Sequence, residues 1–333
     1  MKKIAINGFG RIGRLLFRKL HGRTDFKIVA INDLGDLENL AYLLAHDSVY
    51  GNYDKMVLTE GGNLLVAGEE TKFLSIKDPA TLPWGELGVD IVIESTGVFE
   101  SFVAAEAHIK AGAKHVILSA PAKDADGELG QTFLVGTGEL QKNCKITSNG
   151  SCTTNAASPI IKILEETIGI EKAMLSTVHA YTATQSMVDS PVKGKDFRRG
   201  RAGAQNIVPS TTGAAVAVTR VMPELTGKFD GVAFRVPVVS GSLADITLVT
   251  KRPTSEEEIN SILARAAKES RWQGIFTVTK EQYVSSDIVG KEYGAIADLN
   301  FTKVVDGNLV KVVSWYDNEA GYVSTLIKHL ELV

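Results

Sequence analysis

Lys3-Ile4-Ala5-Ile6-Asn7-Gly8-Phe9-Gly10-Arg11-Ile12-Gly13 opens as a short apolar strand and runs straight into a glycine-spaced turn. Leu15 to Leu20 then has helical character. Strand, Gly-x-Gly-x-x-Gly, helix is the order of a dinucleotide-binding unit. Gly8 permits the tight turn, Gly10 lets the backbone approach a pyrophosphate, and Gly13 lets helix and strand pack closely. The start of the helix offers unpaired N–H groups to phosphate. Twenty residues past Gly13, Asp33 closes a second strand-like run at 27–31. A carboxylate there accepts hydrogen bonds from a ribose 2′-OH and repels a 2′-phosphate, so NAD is expected in preference to NADP. Many loops match a bare glycine pattern by chance; the flanking elements and the spacing to Asp33 make this one specific.

Working outward, strand-like runs at 3–7, 27–31, 91–94, 115–118, 132–135 and 145–147 alternate with helical stretches such as 101–111. In that helix Ala104, Ala105 and Ile109 supply apolar positions. The alternation predicts an α/β, Rossmann-type dinucleotide-binding domain over residues 1–150, with a doubly wound, largely parallel sheet. Residues 51–74 read instead as short strands joined by turns such as Glu60-Gly61-Gly62-Asn63. After residue 151 the pattern changes. Longer strands at 174–179, 232–236, 246–250, 295–301 and 309–315 are separated by long connections. They predict an α+β domain with a mixed, largely antiparallel sheet and helices on one face. Thr254-Ser255-Glu256-Glu257 reads as a capping box that opens a helix reaching about residue 269. A last helix at about 321–332 follows Asn318, and no internal repeat is evident.

Ser148-Asn149-Gly150-Ser151-Cys152-Thr153-Thr154-Asn155 sets a cysteine among hydroxyls and amides, after a strand-like run and before a helical one. At a helix N-terminus, unpaired N–H groups and the helix dipole favour an anion, so a lowered thiol pKa and a nucleophilic thiolate are expected. For a lone cysteine a buried structural role is the commoner reading; the polar flanks and the helix start argue against it here. His179 closes a strand 27 residues later. A histidine at a strand end is usually structural, and spacing alone does not bring it to Cys152.

Composition sets the frame. The chain has 333 residues, enough for about two domains with a sizeable core. It is 44% hydrophobic and 23% charged, with a net charge of −3, so nothing global points to nucleic acid. Cys144 and Cys152 lie eight apart, unlike a CxxC metal or redox pair, and no metal is expected. So few cysteines suit a reducing compartment, and the cytoplasm is the expected location. Asn7 and Arg11 interrupt the N-terminal apolar run too early for a signal peptide. The uncharged stretch 202–219 carries Gln205, Asn206, Pro209 and Ser210, so no membrane partner is expected.

Several segments in a fixed order point further: Asn7 to Arg14, Asn32-Asp33-Leu34, Leu82-Pro83-Trp84-Gly85, Ser151 to Asn155, and His179-Ala180-Tyr181-Thr182-Ala183-Thr184-Gln185. Ala233-Phe234-Arg235-Val236-Pro237 and Trp315-Tyr316-Asp317-Asn318-Glu319 complete the set. With these the chain resembles the phosphorylating glyceraldehyde-3-phosphate dehydrogenases nearly end to end. The resemblance implies glycolytic, NAD-dependent oxidation of D-glyceraldehyde 3-phosphate to 1,3-bisphosphoglycerate through a thioester on Cys152. It implies His179 beside that cysteine as base and acid. It implies that Arg11, Ile12, Leu34, Lys77 and Ser119 add cofactor contacts to Gly8, Gly10, Gly13 and Asp33. Many relatives carry arginine at position 77. Asn318 would hold the nicotinamide carboxamide, with Tyr322 nearby, while Leu34 and Pro191 would crowd out a 2′-phosphate.

Two anion sites are also implied. Thr182 and Arg235 belong to the one for the substrate phosphate. Ser151, Thr153, Thr212 and Gly213 belong to the one for inorganic phosphate, and Arg199 is a candidate for both. Thr211-Thr212-Gly213 precedes an apolar run at 214–218, a second candidate helix N-terminus. Arg235 lies in an apolar strand, where an unpaired guanidinium is costly and a buried anionic partner is expected. Lys193, Lys195, Arg198, Arg199 and Arg201 cluster in one loop. Alone they read as a solvated face; the family uses this loop at a subunit interface, and a homotetramer is implied. The C-terminal segment 318–333 would return to complete the first domain, leaving 151–317 as the catalytic and interface domain.

The chain departs from the family pattern at Ala156 and Val216, near 192–195, and in Pro237-Val238-Val239-Ser240-Gly241-Ser242, where Pro-Thr-Pro-Asn-Val-Ser is commoner. Erythrose-4-phosphate dehydrogenase shares most of the motifs and is the near alternative. A cysteine hydrolase or acyltransferase would need no glycine loop with Asp33. RNA binding as a second role finds no support in the net charge.

Overall fold

A computed structural model of the chain describes residues 1–192 and 194–333; Lys193 of the basic loop lies outside the described residues. The chain divides into two compact units. One comprises residues 1–133, 139–150 and 329–333, and the other residues 134–138 and 151–328. The division falls inside the last helix, Ala320–Leu332, whose end from residue 329 on belongs to the first unit.

The first unit is built on a nine-stranded sheet. Its central strand, Lys2–Asn7, pairs in parallel with Phe26–Asn32 on one side and Ile91–Glu94 on the other. From Ile91–Glu94 the sheet continues in parallel through His115–Leu118 and Ile146–Ser148 to Gln131–Thr132. From Phe26–Asn32 it continues through Glu69–Leu74, and then turns antiparallel through Asn63–Val66 and Val57–Glu60. The chain therefore reverses its direction of winding beside the central strand. In doubly wound sheets that switch opens a crevice at the carboxyl ends of the strands, where ligands bind. Alternating buried residues drive the packing: Ala5, Ala30, Val92, Val116 and Ile146 meet Trp84 and Phe102 in one core. The helix Phe102–Lys110 starts at Ser101, whose hydroxyl accepts from Ala104 N at 3.1 Å.

The second unit has a seven-stranded sheet. One of its inner strands, Ile170–Ala180, lies parallel to Phe229–Val236 and antiparallel to Ser242–Thr250. Four of the six strand pairings are antiparallel. The helices Cys152–Thr167, Ala214–Val221 and Glu256–Ala266 cover one face, with Ile160, Leu164, Val218 and Leu263 buried against Leu175, Ile246 and Val312. Ser255, not Thr254, caps the third helix, accepting from Glu258 N. The opposite face leaves Met174, Val178 and Val232 exposed. Among the described residues no helix is long and apolar enough to cross a membrane.

Candidate active site

In the first unit, the turn after the central strand has the shape its glycines predict. Gly8 adopts φ +97°, and a Cβ there would lie 2.6 Å from Ser95 C and Thr96 N. A Cβ on Gly13 would meet Gly8 O at 2.2 Å, so only glycine lets the helix Arg11–Leu20 start so close to the strand. Gly10 faces open space. It borders a cavity of about 720 Å³ that Gly8, Asp33, Leu34 and Lys77 also line. The open backbone at Gly10 and the adjacent helix start fit a dinucleotide pyrophosphate.

Asp33 holds two turns as well. Its Oδ2 accepts from Phe9 N at 2.6 Å and its Oδ1 from Gly35 N at 2.8 Å. Each oxygen retains a lone pair for a ribose hydroxyl. Ile12 follows in the first turn of the helix, while the Arg11 guanidinium pairs with Asp47 at 2.5 Å. Ser119 donates its backbone N–H to Glu94 O and does not line the cavity. Sequence reasoning missed Asn7, Asn32, Thr96 and Phe99 among the lining residues. The two asparagines end the strands that lead to Gly8 and Asp33, and that position was the available signal.

In the second unit, Cys152 is the first residue of its helix. Ser151 caps it in a reciprocal box: Ser151 Oγ accepts from Thr154 N, and Thr154 Oγ1 accepts from Ser151 N. His179 stands next to last in the strand Ile170–Ala180. The fold closes the 27-residue separation, leaving Sγ 3.3 Å from His179 Nε2. His179 is buried, edge-on to the Tyr316 ring with centroids 5.9 Å apart. The Tyr316 hydroxyl bridges Thr153 Oγ1 at 2.9 Å and Thr177 Oγ1 at 2.7 Å. Tyr316 thus fixes both the ring and the second residue of the helix. Its signal was its place inside a quoted motif.

His179 Nδ1 has two neighbours at 2.6 Å, the carbonyl of Ala180 and Arg235 Nη1. It can serve only one of them at a time, because the carbonyl needs an N–H and the guanidinium needs a lone pair. Burial, with the Arg235 charge adding to it, lowers His179 to about 3. Burial also pushes the Cys152 thiol up, while Arg235, the Thr153 hydroxyl and nearby backbone N–H groups pull it down. The expected net lowering by the helix start is not what this site gives: desolvation of the sulphur outweighs the stabilising donors.

Arg235 is half-buried, and burial lowers its pKa; Arg199 adds to that lowering, while Cys152 and Tyr316 oppose it. Among the described residues its hydrogen-bond partners are His179 and Ala180 O, and no carboxylate pairs with it. Arg199 donates to Ser210 Oγ at 3.1 Å and approaches Thr184 Oγ1 at 3.5 Å, and Thr184 in turn meets Thr182 Oγ1 at 3.0 Å. Two guanidiniums and a threonine pair therefore converge without a neutralising acid, apart from Asp196 at 3.7 Å from Arg199. Thr212 and Gly213 sit at the start of the helix Ala214–Val221, where Thr212 Oγ1 accepts from Ala214 N. No hydrogen bond joins them to Ser151 or Thr153 among the described residues. Asn318 is buried, with Oδ1 2.9 Å from Ser242 Oγ.

A dinucleotide cradle in one unit and a thiol–imidazole pair at a helix start in the other fit one class, the NAD-dependent oxidoreductases. Comparison with known proteins narrows this. Residues 2–102 match the family described as glyceraldehyde 3-phosphate dehydrogenase, NAD binding domain, and residues 151–318 match its C-terminal domain. A glyceraldehyde-3-phosphate dehydrogenase of Clostridium pasteurianum is 46% identical over 334 residues, covering 99% of this chain and 98% of that protein. Another, from Geobacillus stearothermophilus, is 46% identical over 323 residues, covering 96% and 94%. The chain belongs to the glyceraldehyde-3-phosphate dehydrogenase family.

Proposed function

We propose that this chain oxidises D-glyceraldehyde 3-phosphate to 1,3-bisphosphoglycerate, using NAD and inorganic phosphate. The observation that carries the reading is Cys152 Sγ at 3.3 Å from His179 Nε2, beside a guanidinium that has no carboxylate. NAD, when bound, supplies the hydride acceptor. Gly8, Gly10 and Gly13 with the following helix start hold its pyrophosphate, and Asp33 its ribose. Arg11, Ile12, Leu34, Lys77 and Ser119 are assigned to the cofactor by family resemblance, and Asn318 to the nicotinamide carboxamide.

The chemistry follows from the site. Cys152 Sγ attacks the aldehyde carbon, and the Cys152 backbone N–H is available to the oxyanion that forms. With Nδ1–H given to Ala180 O, His179 presents a lone pair at Nε2, and it first takes the thiol proton. Once that proton has passed to the oxyanion, His179 removes it again from the hemithioacetal hydroxyl as the carbon gives up hydride. Inorganic phosphate at Ser151, Thr153, Thr212 and Gly213 attacks the thioester that results on Cys152; the C–S bond breaks, and the leaving sulphur takes back the proton that His179 holds. Thr182 and Arg235 take the phosphate of the aldehyde, with Arg199 as a candidate for either anion. An anion on Arg235 also draws its guanidinium from Nδ1, which leaves that nitrogen to Ala180 O. The primary experiment is NADH formation from glyceraldehyde 3-phosphate with and without phosphate. Turnover that does not depend on phosphate would contradict phosphorolysis as the second step.

Arg235→Leu tests the substrate-phosphate assignment. Charge-assisted hydrogen bonds are each worth on the order of 1.5–3 kcal/mol, and every 1.4 kcal/mol is about tenfold. Efficiency on glyceraldehyde 3-phosphate should fall by roughly one to two orders of magnitude, with far less change on unphosphorylated glyceraldehyde. An equal loss on both substrates would remove Arg235 from the phosphate site.

Asp33→Gly tests cofactor choice. Removing the carboxylate removes its repulsion of a 2′-phosphate, so NADP should improve. NAD binding should also weaken, because Phe9 N and Gly35 N lose their acceptor. The NAD-to-NADP efficiency ratio is expected to fall by about tenfold or more, as expected for separating like charges near a protein surface. A constant ratio would place Asp33 away from the ribose.

The assembly proposed is a homotetramer in the cytoplasm. The exposed Met174, Val178 and Val232 on one sheet face support burial against further copies. Sedimentation of the purified protein tests the oligomer number.

A further inference from the structure

We infer that Ser242 is a positioning residue for the cofactor, because its hydroxyl fixes which end of the Asn318 amide faces outward. The inference rests on the proposed role of Asn318 at the nicotinamide carboxamide.

An asparagine amide has an acceptor end and a donor end of nearly the same shape, so its partners must choose between the two orientations. Around Asn318 that choice is made in a buried polar cluster: Ser240, Ser242 and Asp317 are each at most 1% exposed, and Asn318 is 6% exposed. Ser242 Oγ accepts from Ala180 N at 3.1 Å. Its own hydrogen is thereby left for the second neighbour, Asn318, at 2.9 Å. A hydroxyl that donates there requires the amide oxygen, Oδ1, to face it. Ser240 Oγ lies 3.4 Å from the same oxygen, but at 2.9 Å from Asp317 Oδ1 its hydrogen belongs to the carboxylate. Asp317 is anchored in turn, accepting from Gly290 N at 2.7 Å and from Glu319 N at 2.8 Å. Ser242 is therefore the group that sets the polarity. With Oδ1 held inward, both Nδ2 hydrogens point away from the cluster and remain for a carbonyl acceptor such as that of a carboxamide.

The loop that delivers the two serines is specific to its backbone. Gly241 between them adopts φ +88°, and a Cβ there would meet Ser285 O at 2.1 Å. Ala180, whose N–H reaches Ser242, also offers its carbonyl, from the following peptide, to His179 Nδ1. One hydroxyl thus ties the orientation of the cofactor-facing amide to the strand end that carries the base.

The test is a double-mutant cycle on NAD affinity, measured by titration of the full-length protein with Ser242→Ala, Asn318→Ala and the pair. Ser242→Ala should weaken NAD by on the order of three- to tenfold, the size of one hydrogen bond. The double variant should bind no more weakly than Asn318→Ala alone, since a lost amide has no orientation to lose. The KM for glyceraldehyde 3-phosphate should stay unchanged in Ser242→Ala, which a general disturbance of the fold would not allow. Additive losses, or equal rises in both KM values, would overturn the inference and leave the Asn318 assignment standing. Unchanged NAD affinity in Asn318→Ala would overturn that assignment itself, and this inference with it.

Discussion

Replacing Cys152 with serine is expected to lower NADH formation from glyceraldehyde 3-phosphate by more than about four orders of magnitude, as for other enzymes stripped of their nucleophile. A serine hydroxyl ionises far less readily than a thiol, and here burial already raises the cost of a charge on the side chain. The acyl carrier would also change. An oxygen ester conserves less of the oxidation energy than a thioester, so transfer to inorganic phosphate would be slowed even where the first attack succeeded. NAD affinity should survive, because the glycine cradle and Asp33 belong to the other unit and do not involve the thiol. Cys144→Ser is the control. That thiol donates to Ile146 O at 3.0 Å, shares no contact with His179, and should leave turnover almost unchanged. Turnover of Cys152→Ser near the wild-type rate would withdraw the covalent mechanism altogether.

What could be read before the fold was known follows from where the physical signal sits in the chain. Gly8, Gly10 and Gly13 were legible because a steric demand is local: each excluded Cβ clashes with atoms placed by the same βα unit or its neighbour. Central strands were legible because burial on both faces demands apolar runs, as in Ile91–Glu94 and His115–Leu118. The strands Val208–Thr211 and Phe276–Thr279 were not foreseen, and both are sheet edges. An edge strand pairs on one side only, so it tolerates Pro209 and polar residues that erase the pattern. The run at 132–135 was read too long, because Leu134 and Val135 are apolar for packing and not for pairing; the strand is Gln131–Thr132. The meeting of Cys152 with His179 was beyond any local signal. It depends on strand Ile170–Ala180 returning its far end to the start of helix Cys152–Thr167, a property of the whole sheet. The thiol pKa was misjudged for the same reason. A helix start can be read locally, whereas burial of the sulphur depends on parts of the chain brought together by the fold.

Replacing His179 with asparagine is expected to slow the chemical step by about 10²–10⁴-fold, the range for loss of a positioned general base. The geometry fixes what is lost. Nε2 is the only ring atom at the sulphur, and the ring is held by Tyr316 on one side and by Ala180 O or Arg235 at Nδ1. Asparagine can fill part of the space but cannot take a proton. The pH dependence has a definite sign. Burial and Arg235 lower His179 to about 3, below its unfolded value, so the folded protein keeps it neutral, with one ring nitrogen unprotonated, across the physiological range. As pH falls below the unfolded histidine value near 6.5, the unfolded chain gains a proton that the folded site refuses, so this group makes the fold less stable towards acid. His179→Asn should therefore lose less stability than wild type between about pH 7 and pH 4, while being far slower at every pH. It should also shift alkylation of Cys152 to higher pH, since the thiolate loses the imidazole that accepts its proton. Chemical-step rates from single turnover, unfolding midpoints against pH, and alkylation rates against pH read the three effects separately. A rate within threefold of wild type, or an alkylation profile that does not move, would assign His179 to the packing of the strand end and leave the proton transfer without its base.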